Sequence, residues 1–174
     1  TQELEAHLDQ LERTLTAVIH AARRPEREGV RPRADAAAVV DERVDFWRPL
    51  TEDQGRVLTT GLAPGPVAVR CAEDDLRAAL DALLENCIAH TPDGTPVEVT
   101  LDPDRGPDGD LVRLEVRDRG PGLPEDAVRR GRSDRGSTGL GLDIARSCAE
   151  ASGGRLELDR QDGWTIVRLL LGRP

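Results

Sequence analysis

Asn86 is the only asparagine in the 174-residue chain, and it lies in the stretch DALLENCIAHTPDG, whose pattern predicts a helix followed by a turn. Asparagine is a poor helix former because its amide competes for backbone hydrogen bonds. On a helix, Ala82, Ala89 and His90 share the flank of Asn86, away from the leucine face. The amide oxygen could ligate Mg²⁺, with phosphate oxygens and water as the other ligands. Alternatively, Asn86 only caps or bonds back to its own turn.

A second candidate is the segment VRDRGPGLP, in which Asp118 ends an apolar strand and is followed by Gly120 and Gly122. A carboxylate at the end of a strand can accept a hydrogen bond from an exocyclic amine such as that of adenine. Glycines beside it let the backbone approach a ligand closely. The alternative is a plain turn, because the D-x-G-x-G spacing alone is a weak signal.

A third candidate is the glycine-rich segment RGSTGLGLDIA, which precedes an apolar helix. Backbone N–H groups at a helix start, with the helix dipole behind them, form an anion site suited to phosphate. The spacing is not that of the dinucleotide-binding fingerprint, and an isolated glycine loop is the alternative. The candidate phosphate-binding residues are Gly136, Ser137, Thr138, Gly139, Leu140 and Gly141.

A charged segment joins the second and third candidates. We expect it to be mobile, because it lacks the apolar area needed for tight packing. Its arginines could close over a triphosphate, and a solvated loop is the alternative. These arginines are Arg129, Arg130, Arg132 and Arg135.

The composition excludes several classes of function. All 24 basic residues are arginine, so the chain has neither the lysine of a P-loop nor the strand lysine of a protein kinase. The net charge of −9 gives no basic footprint for nucleic acid and makes an anionic membrane surface an unsuitable partner. Cys71, Cys87 and Cys148 are widely spaced, which predicts reduced, buried thiols of a cytoplasmic domain and neither a disulfide framework nor a zinc site.

The chain shows no signal peptide and no apolar run near the length of a membrane span, about 18 residues. It also contains no methionine. We therefore expect it to be part of a longer protein, in which any membrane anchor lies outside these residues.

The elements that must position the candidates follow from hydrophobic periodicity. A heptad pattern in residues 3–23 predicts a helix that pairs with another copy or with a helix outside this chain, and a surface helix packed on its own domain is the alternative. The Pro- and Arg-rich residues 24–33 predict a hinge. The heptad positions are Leu4, Leu8, Leu11, Leu15, Val18 and Ala22.

Beyond the hinge, helices and strands are predicted to form an α+β fold, a two-layer sandwich of helices on a mostly antiparallel sheet. One helix begins at an Asp35 N-cap and runs towards Pro49 and Gly55. Helix 72–90 carries Asn86, and another helix ends at Gly153 and Gly154. The predicted strands are 56–62, 66–70, 96–102, 110–118, 155–159 and 164–171, and the last two form a hairpin around Asp162 and Gly163.

The order and spacing of the three candidates resemble the ATP-binding domain of sensor histidine kinases, in the GHKL superfamily with the Bergerat nucleotide fold. ENCIAHTPDG is similar to the N box, DRGPG to the G1 box and GSTGLGL to the G2 box. The heptad helix resembles the second helix of the kinase dimerisation hairpin. The resemblance thus implies a partial hairpin helix at 1–28 and an ATP-binding catalytic domain at 29–174.

The resemblance also implies roles for single residues in binding Mg-ATP. Asn86 would ligate Mg²⁺ and Asp118 would bind adenine. The other residues are implied to border the lid (Gly120, Gly122), to meet the phosphates (Gly139, Gly141), to lie beside the nucleotide (His90) and to floor the adenine pocket (Thr165).

The chain departs from the family pattern at Ala82, where gyrase-like ATPases carry a water-activating glutamate and histidine kinases often carry asparagine. Glu85 is no substitute, because it lies about 100° around the helix, so hydrolysis on the gyrase pattern is not expected. Ala89 replaces a basic residue that often reaches the phosphates. The only phenylalanine is Phe46, so no phenylalanine box is present between the glycine sites.

His7 and His20 do not match a phosphoacceptor motif, so we expect the acceptor histidine upstream of residue 1. The sequence predicts the ATP-binding catalytic region of a sensor histidine kinase, which passes the γ-phosphoryl group of Mg-ATP to that histidine and then to a response regulator. Alone, this chain is expected to bind nucleotide without phosphorylating itself. Its expected partners are the response regulator and, through the N-terminal helix, a second copy.

Three alternatives stay open. One is a nucleotide-binding regulator with little or no transfer activity, which the alanines at 82 and 89 favour. Another is a serine kinase of the anti-sigma-factor type, which would have no use for the heptad helix. The last, a coiled-coil adaptor, leaves the glycine segments unexplained.

Overall fold

The computed structural model describes residues 32–103, 110–122 and 139–174, and of residues 139 and 140 only the backbone. The predicted heptad helix, most of the predicted hinge and the predicted domain boundary lie outside the described residues, as do His7 and His20. The predicted arginine segment from Arg129 to Arg135 lies outside them as well.

Five strands form the main sheet, in the order β2, β4, β5, β7, β6. Strand β2 is parallel to β4, and every other neighbouring pair is antiparallel, as predicted for the strand pairs β4–β5 and β6–β7. A separate two-stranded pairing of β1 with β3 was not predicted. The strands are β1 (Ala34–Asp35), β2 (Leu58–Leu62), β3 (Ala68–Val69), β4 (Val97–Asp102), β5 (Leu111–Asp118), β6 (Arg155–Gln161) and β7 (Trp164–Gly172).

Three helices are described, α1 (Ala36–Asp53), α2 (Glu73–His90) and α3 (Gly139–Ala151). Asp35 is the N-cap of α1, as predicted, because its Oδ1 accepts a hydrogen bond from Ala37 N at 3.1 Å. The same oxygen accepts from Val67 N at 3.0 Å, which joins the start of α1 to the segment before β3. Gly153, at φ +88°, follows the end of α3, also as predicted.

The helices cover one face of the sheet and enclose the core. The predicted leucine face of α2 consists of Leu76, Leu80, Leu83, Leu84, Cys87 and Ile88. All of it is buried except Ile88, which is half-buried, and each fully buried leucine contributes about 1.5–3 kcal/mol. The other face of the sheet carries ion pairs such as Glu98 with Arg117 and Glu115 with Arg168. The predicted two-layer α+β sandwich is confirmed. The core residues from the inner sheet face are Leu58, Val97, Val99, Leu101, Val112, Leu114, Val116, Leu169 and Leu171.

The hairpin between β6 and β7 turns at Asp162 and Gly163, as the sequence predicts. Their φ angles of 52° and 81° match a two-residue turn in which both central residues are left-handed. This turn sets the register that places Arg160 opposite Thr165. Within the three described ranges, no helix combines the length and apolar character that crossing a bilayer would require.

Candidate functional site

Asp118 is the last residue of β5 and its carboxylate is buried at 9% exposure. Its Oδ1 accepts from Gly120 N at 2.8 Å, and its Oδ2 accepts from the Cys87 thiol of α2 at 3.4 Å. Each carboxylate oxygen has about two acceptor positions, so each can still accept from a ligand. The strand end therefore presents an oriented acceptor towards the helix layer.

The two glycines after Asp118 occupy positions that other residues would not fit. A Cβ on Gly120 would collide with Thr91 Cγ2 and lie 2.8 Å from Asp118 Oδ1. Gly122 adopts φ +89°, in the left-handed region, and a Cβ there would lie 2.6 Å from Arg160 Nη1. Glycine is thus required for the chain to turn closely past the carboxylate.

Thr165 lies directly opposite Asp118 in the pairing of β5 with β7. It is 6% exposed, and its Oγ1 is buried without a hydrogen-bond partner in the part of the chain that the structure describes. An unsatisfied buried hydroxyl is unfavourable, and most such groups in native proteins do have a partner. The hydroxyl beside Asp118 is therefore a position where a ligand can supply the missing hydrogen bond.

Asn86 is half-buried on α2 and its amide lies against the first turn of α3. A Cβ on Gly141 would be 2.7 Å from Asn86 Nδ2 and 3.1 Å from Oδ1, so only glycine leaves room for the amide. His90 is exposed at the last position of α2. Gly141, the last glycine of the predicted phosphate segment, and the lone asparagine are thus neighbours.

These residues surround one pocket between α2, α3 and the ends of β5 and β7. Apolar side chains make part of its wall. Asn86 contributes an amide, His90 an imidazole and Asp118 a carboxylate. Of the predicted site residues, the pocket brings together Asn86, His90, Asp118, Gly122 and Thr165. Its lining residues are Leu83, Asn86, Cys87, His90, Thr91, Asp118, Gly122, Leu142, Thr165 and Val167.

The remaining predicted site residues are not at the pocket wall or are not described. Gly120 touches Thr91 and lies just behind the wall, and Gly141 packs on Asn86. Gly139 and Leu140 are the first two residues of α3. Arg132, Arg135, Gly136, Ser137 and Thr138 lie outside the described residues.

Cys87 was predicted only as a buried thiol, yet it touches the carboxylate of the site. Burial raises the pKa of Cys87 well above its usual value, and the charge and hydrogen bond of Asp118 raise the pKa further. The thiol therefore stays protonated and acts as a donor. The sequence signal that could have placed Cys87 at the site is its position next to Asn86 in the predicted helix.

Arg56 is a buried residue that sequence reasoning missed. At 4% exposure it donates to Thr91 O at 2.8 Å, Ile88 O at 3.1 Å and Thr91 Oγ1 at 2.6 Å. A guanidinium at the C-terminal carbonyls of α2 satisfies orphan acceptors and complements the helix dipole. Arg56 thereby fixes Thr91, which packs against Gly120. No local pattern in the sequence marks this arginine.

The described pocket residues could hold a metal ion only together with a bound molecule that supplies further oxygen ligands. No cluster of three or more His, Cys, Asp or Glu side chains that could hold an ion occurs within the described ranges. The Asn86 amide oxygen fits Mg²⁺, which commonly keeps waters and binds substrate phosphates with one or two protein ligands. Ala82 is buried and Glu85 is exposed on α2, and neither lines the pocket.

The chain is similar to known proteins in family, sequence and structure. Residues 71–174 match the family described as histidine kinase-, DNA gyrase B- and HSP90-like ATPase. The sensor protein PfeS of Pseudomonas aeruginosa is 44% identical over 92 residues, covering 48% of this chain and 20% of that protein. The probable sensor protein PcoS of Escherichia coli is 31% identical over 150 residues, covering 79% of this chain and 31% of that protein.

Solved structures show the same fold. The catalytic domain of the histidine kinase ThkA superposes with a TM-score of 0.71 at 19% identity, covering 81% of this chain and 94% of that one. ThkA in complex with the response regulator protein TrrA gives a TM-score of 0.73 at 17% identity, over 96% of this chain and 49% of that chain. The chain spans only 20% to 31% of the length of the first curated relatives it matches.

Proposed function

The chain belongs to the family of histidine kinase-, DNA gyrase B- and HSP90-like ATPases and carries the ATP-binding region of a sensor kinase, and we propose that its pocket binds Mg-ATP for phosphoryl transfer to a histidine. One observation carries the proposal. Asp118 and the unpartnered hydroxyl of Thr165 lie side by side in a pocket that also has apolar walls.

The base is proposed to enter between α2 and the sheet. Its exocyclic amine donates to Asp118, which Gly120 and Cys87 already orient. The Thr165 hydroxyl takes a second polar group of the base, directly or through water. Leu83, Leu142 and Val167 pack on the ring, and a mostly apolar pocket with a few convergent polar groups is typical of small-ligand sites.

The phosphates are proposed to extend towards Asn86 and the start of α3. Helix α3 begins at Gly139. Gly141 has no Cβ that would collide with the Asn86 amide. Asn86 would supply an amide oxygen ligand to Mg²⁺, which would help to neutralise the phosphate charge. The role proposed for this chain is to bind and orient the nucleotide, because positioning and charge stabilisation supply most of the catalysis in phosphoryl transfer. The predicted contributions of Arg132, Arg135, Gly136, Ser137 and Thr138 stay proposals.

The γ-phosphoryl group is proposed to pass to a histidine outside the described residues, and then to a response regulator. The names of the relatives as sensor proteins and the complex of ThkA with the response regulator protein TrrA support a response regulator as partner. We further propose that the protein works in the cytoplasm and as a homodimer through residues 1–28. The burial of Cys71, Cys87 and Cys148 as cysteine thiols agrees with a reducing compartment.

A second candidate is a nucleotide-binding regulator without transfer activity. The observation that favours it is Ala82, whose buried methyl group can neither accept a proton nor orient water. Radiolabelled ATP and the full-length protein separate the two functions. Acid-labile phosphohistidine supports the kinase, acid-stable phosphate on a separate protein supports a serine kinase, and no transfer supports the regulator.

Nucleotide binding is tested by calorimetric titration of the 174-residue chain with ADP, with Mg²⁺ and with EDTA. Asp118→Asn replaces the carboxylate by an amide, which removes the charge and one of the two acceptor oxygens. The change is expected to weaken ADP binding at least about tenfold, or 1.4 kcal/mol. Asp45→Asn removes the same charge from an exposed position of α1 and is expected to bind as the wild type does. Undiminished binding by Asp118→Asn would remove the adenine assignment.

A further inference from the structure

Arg160 continues the row of polar residues that begins at Asp118. In the sheet, Asp118 of β5 lies opposite Thr165 of β7, and Thr165 lies opposite Arg160 of β6. Directly opposed residues on neighbouring strands project from the same face, and adjacent strands lie about 4.7–4.9 Å apart. Because Asp118 and Thr165 line the pocket, Arg160 is on the helix-facing side at the same end of the sheet.

The guanidinium of Arg160 lies against the glycine turn of the site. A Cβ on Gly122 would be 2.6 Å from its Nη1, 2.9 Å from its Cζ and 3.4 Å from Thr165 Oγ1. The cation and the unpartnered hydroxyl therefore lie on the same side of Gly122. The left-handed glycine is what makes room for both groups beside the pocket.

Arg160 also differs from the other arginines of its hairpin in its partners. Arg155 pairs with Glu157, and Arg168 pairs with Glu115 and Glu157, all on the outer face. Among the residues that the structure describes, the Arg160 side chain makes no hydrogen bond or ion pair, and only its backbone N–H is bonded, to Asp159. Within the described ranges, its side-chain donors are therefore available to a ligand acceptor.

We propose that Arg160 is a specificity-determining residue, which donates to the ring nitrogen next to the amine of the bound purine. The row offers an acceptor at Asp118 and a donor at Arg160, and this order complements the amine and the adjacent unprotonated ring nitrogen of adenine. Guanine presents the reverse order, a carbonyl oxygen beside a ring N–H. This inference rests on the proposed nucleotide site and names the feature of the base that the site reads.

The experiment compares ADP with 1-deaza-ADP, in which a C–H replaces that ring nitrogen and the amine is kept. Affinities are measured by calorimetry on the 174-residue chain as wild type, Arg160→Ala, Arg160→Lys and Arg155→Ala. The last variant removes a positive charge from the outer face of the same strand. It therefore measures how much any positive charge on this strand attracts the phosphates of the ligand. Thermal unfolding checks that each variant is folded.

The wild type is expected to bind ADP about five- to tenfold more tightly than 1-deaza-ADP, a factor within the range of one net hydrogen bond. In Arg160→Ala, ADP affinity falls by that factor and the difference between the two ligands disappears. Arg160→Lys retains part of the difference, and Arg155→Ala retains all of it.

Two results would overturn the inference while leaving the nucleotide site in place. One is an Arg160→Ala variant that binds ADP as the wild type does, because a cation that donates to the base must contribute to the affinity. The other is an equal loss for ADP and 1-deaza-ADP. If the wild type binds neither ligand, the proposed function itself fails, so the two failures are distinguishable.

Discussion

The thiol of Cys87 donates a hydrogen bond to Oδ2 of Asp118 at 3.4 Å, which links helix α2 to the end of strand β5 across the wall of the pocket. Gly120 N fixes the other carboxylate oxygen at 2.8 Å. Two donors from different elements thus orient one acceptor before a ligand arrives. Preorganisation of this kind reduces the cost of ordering groups on binding.

The Cys87 thiol makes stability fall at alkaline pH. Burial, and then Asp118, raise the pKa of Cys87 well above that of an unfolded thiol, which is about 8.5. Above that pH the unfolded state loses a proton that the folded state keeps, so the free energy of unfolding decreases by up to about 1.4 kcal/mol per pH unit until the folded pKa is reached. Below it, this group adds no pH dependence.

Denaturant unfolding between pH 7.5 and 10, with a reductant present, measures this effect. Cys87→Ala is expected to be less stable at pH 7.5 but to show a shallower alkaline decline. Cys71→Ala, which removes another buried thiol, is the control and should keep the steep decline. Equal slopes for the two variants would contradict the role of Cys87.

Replacing Thr165 by valine separates stability from binding. Thr165→Val removes a buried hydroxyl that has no described partner, so the free energy of unfolding should stay level or rise by up to about 1 kcal/mol. The affinity for ADP should fall about five- to tenfold, because the ligand loses that partner. Calorimetry and chemical denaturation measure the two effects.

Ser152→Ala is the matched control. The Ser152 hydroxyl donates to Ala149 O at 2.6 Å and accepts from Gly172 N at 2.9 Å. Its loss should cost about 1–3 kcal/mol of stability and leave ADP affinity unchanged. A Thr165→Val protein that behaves like Ser152→Ala would show a purely structural hydroxyl.

Adding one methyl group at Gly141 should displace Asn86. In Gly141→Ala the Cβ would lie 2.7 Å from Nδ2, so the amide must move away from the start of α3. We expect the affinity for Mg-ADP to fall about tenfold and the difference between Mg²⁺ and EDTA to vanish. Gly61→Ala, whose Cβ would meet only the Thr100 side chain, at 3.2 Å, should bind normally. An unchanged Mg²⁺ dependence in Gly141→Ala would argue against Asn86 as the metal ligand.

The buried guanidinium of Arg56 should contribute strongly to stability. Arg56→Met keeps the apolar stem and leaves the carbonyls of Ile88 and Thr91 without this donor. The free energy of unfolding should fall by about 2–4 kcal/mol, as for other buried hydrogen-bond networks. Arg48→Met, on the exposed side of α1, should change it by less than about 0.5 kcal/mol. Similar losses in the two variants, measured by urea denaturation, would contradict the capping role of Arg56.

The sequence by itself determined the elements and the order of the candidate sites. Asp35 as an N-cap, the leucine face of α2, the alternation in β4 and β5, and the turn at Asp162 and Gly163 are local signals. Such signals can be recognised in the sequence because caps, periodicity and left-handed turns depend on only a few neighbouring residues. The resemblance to the kinase ATP-binding domain also followed from motifs within short segments.

Only the tertiary structure decided which residues meet. The opposition of Asp118 to Thr165 and of Thr165 to Arg160 depends on strand register, and the contact of Gly141 with Asn86 depends on how α3 packs on α2. Arg56 is buried against the end of α2, where its guanidinium donates to the carbonyls of Ile88 and Thr91 that lack a partner within the helix. Apart from the opposition of Thr165 to Arg160, which the predicted hairpin turn sets, these relationships join residues tens of positions apart. The energies that favour them arise in the packed core and leave no local signal in the sequence.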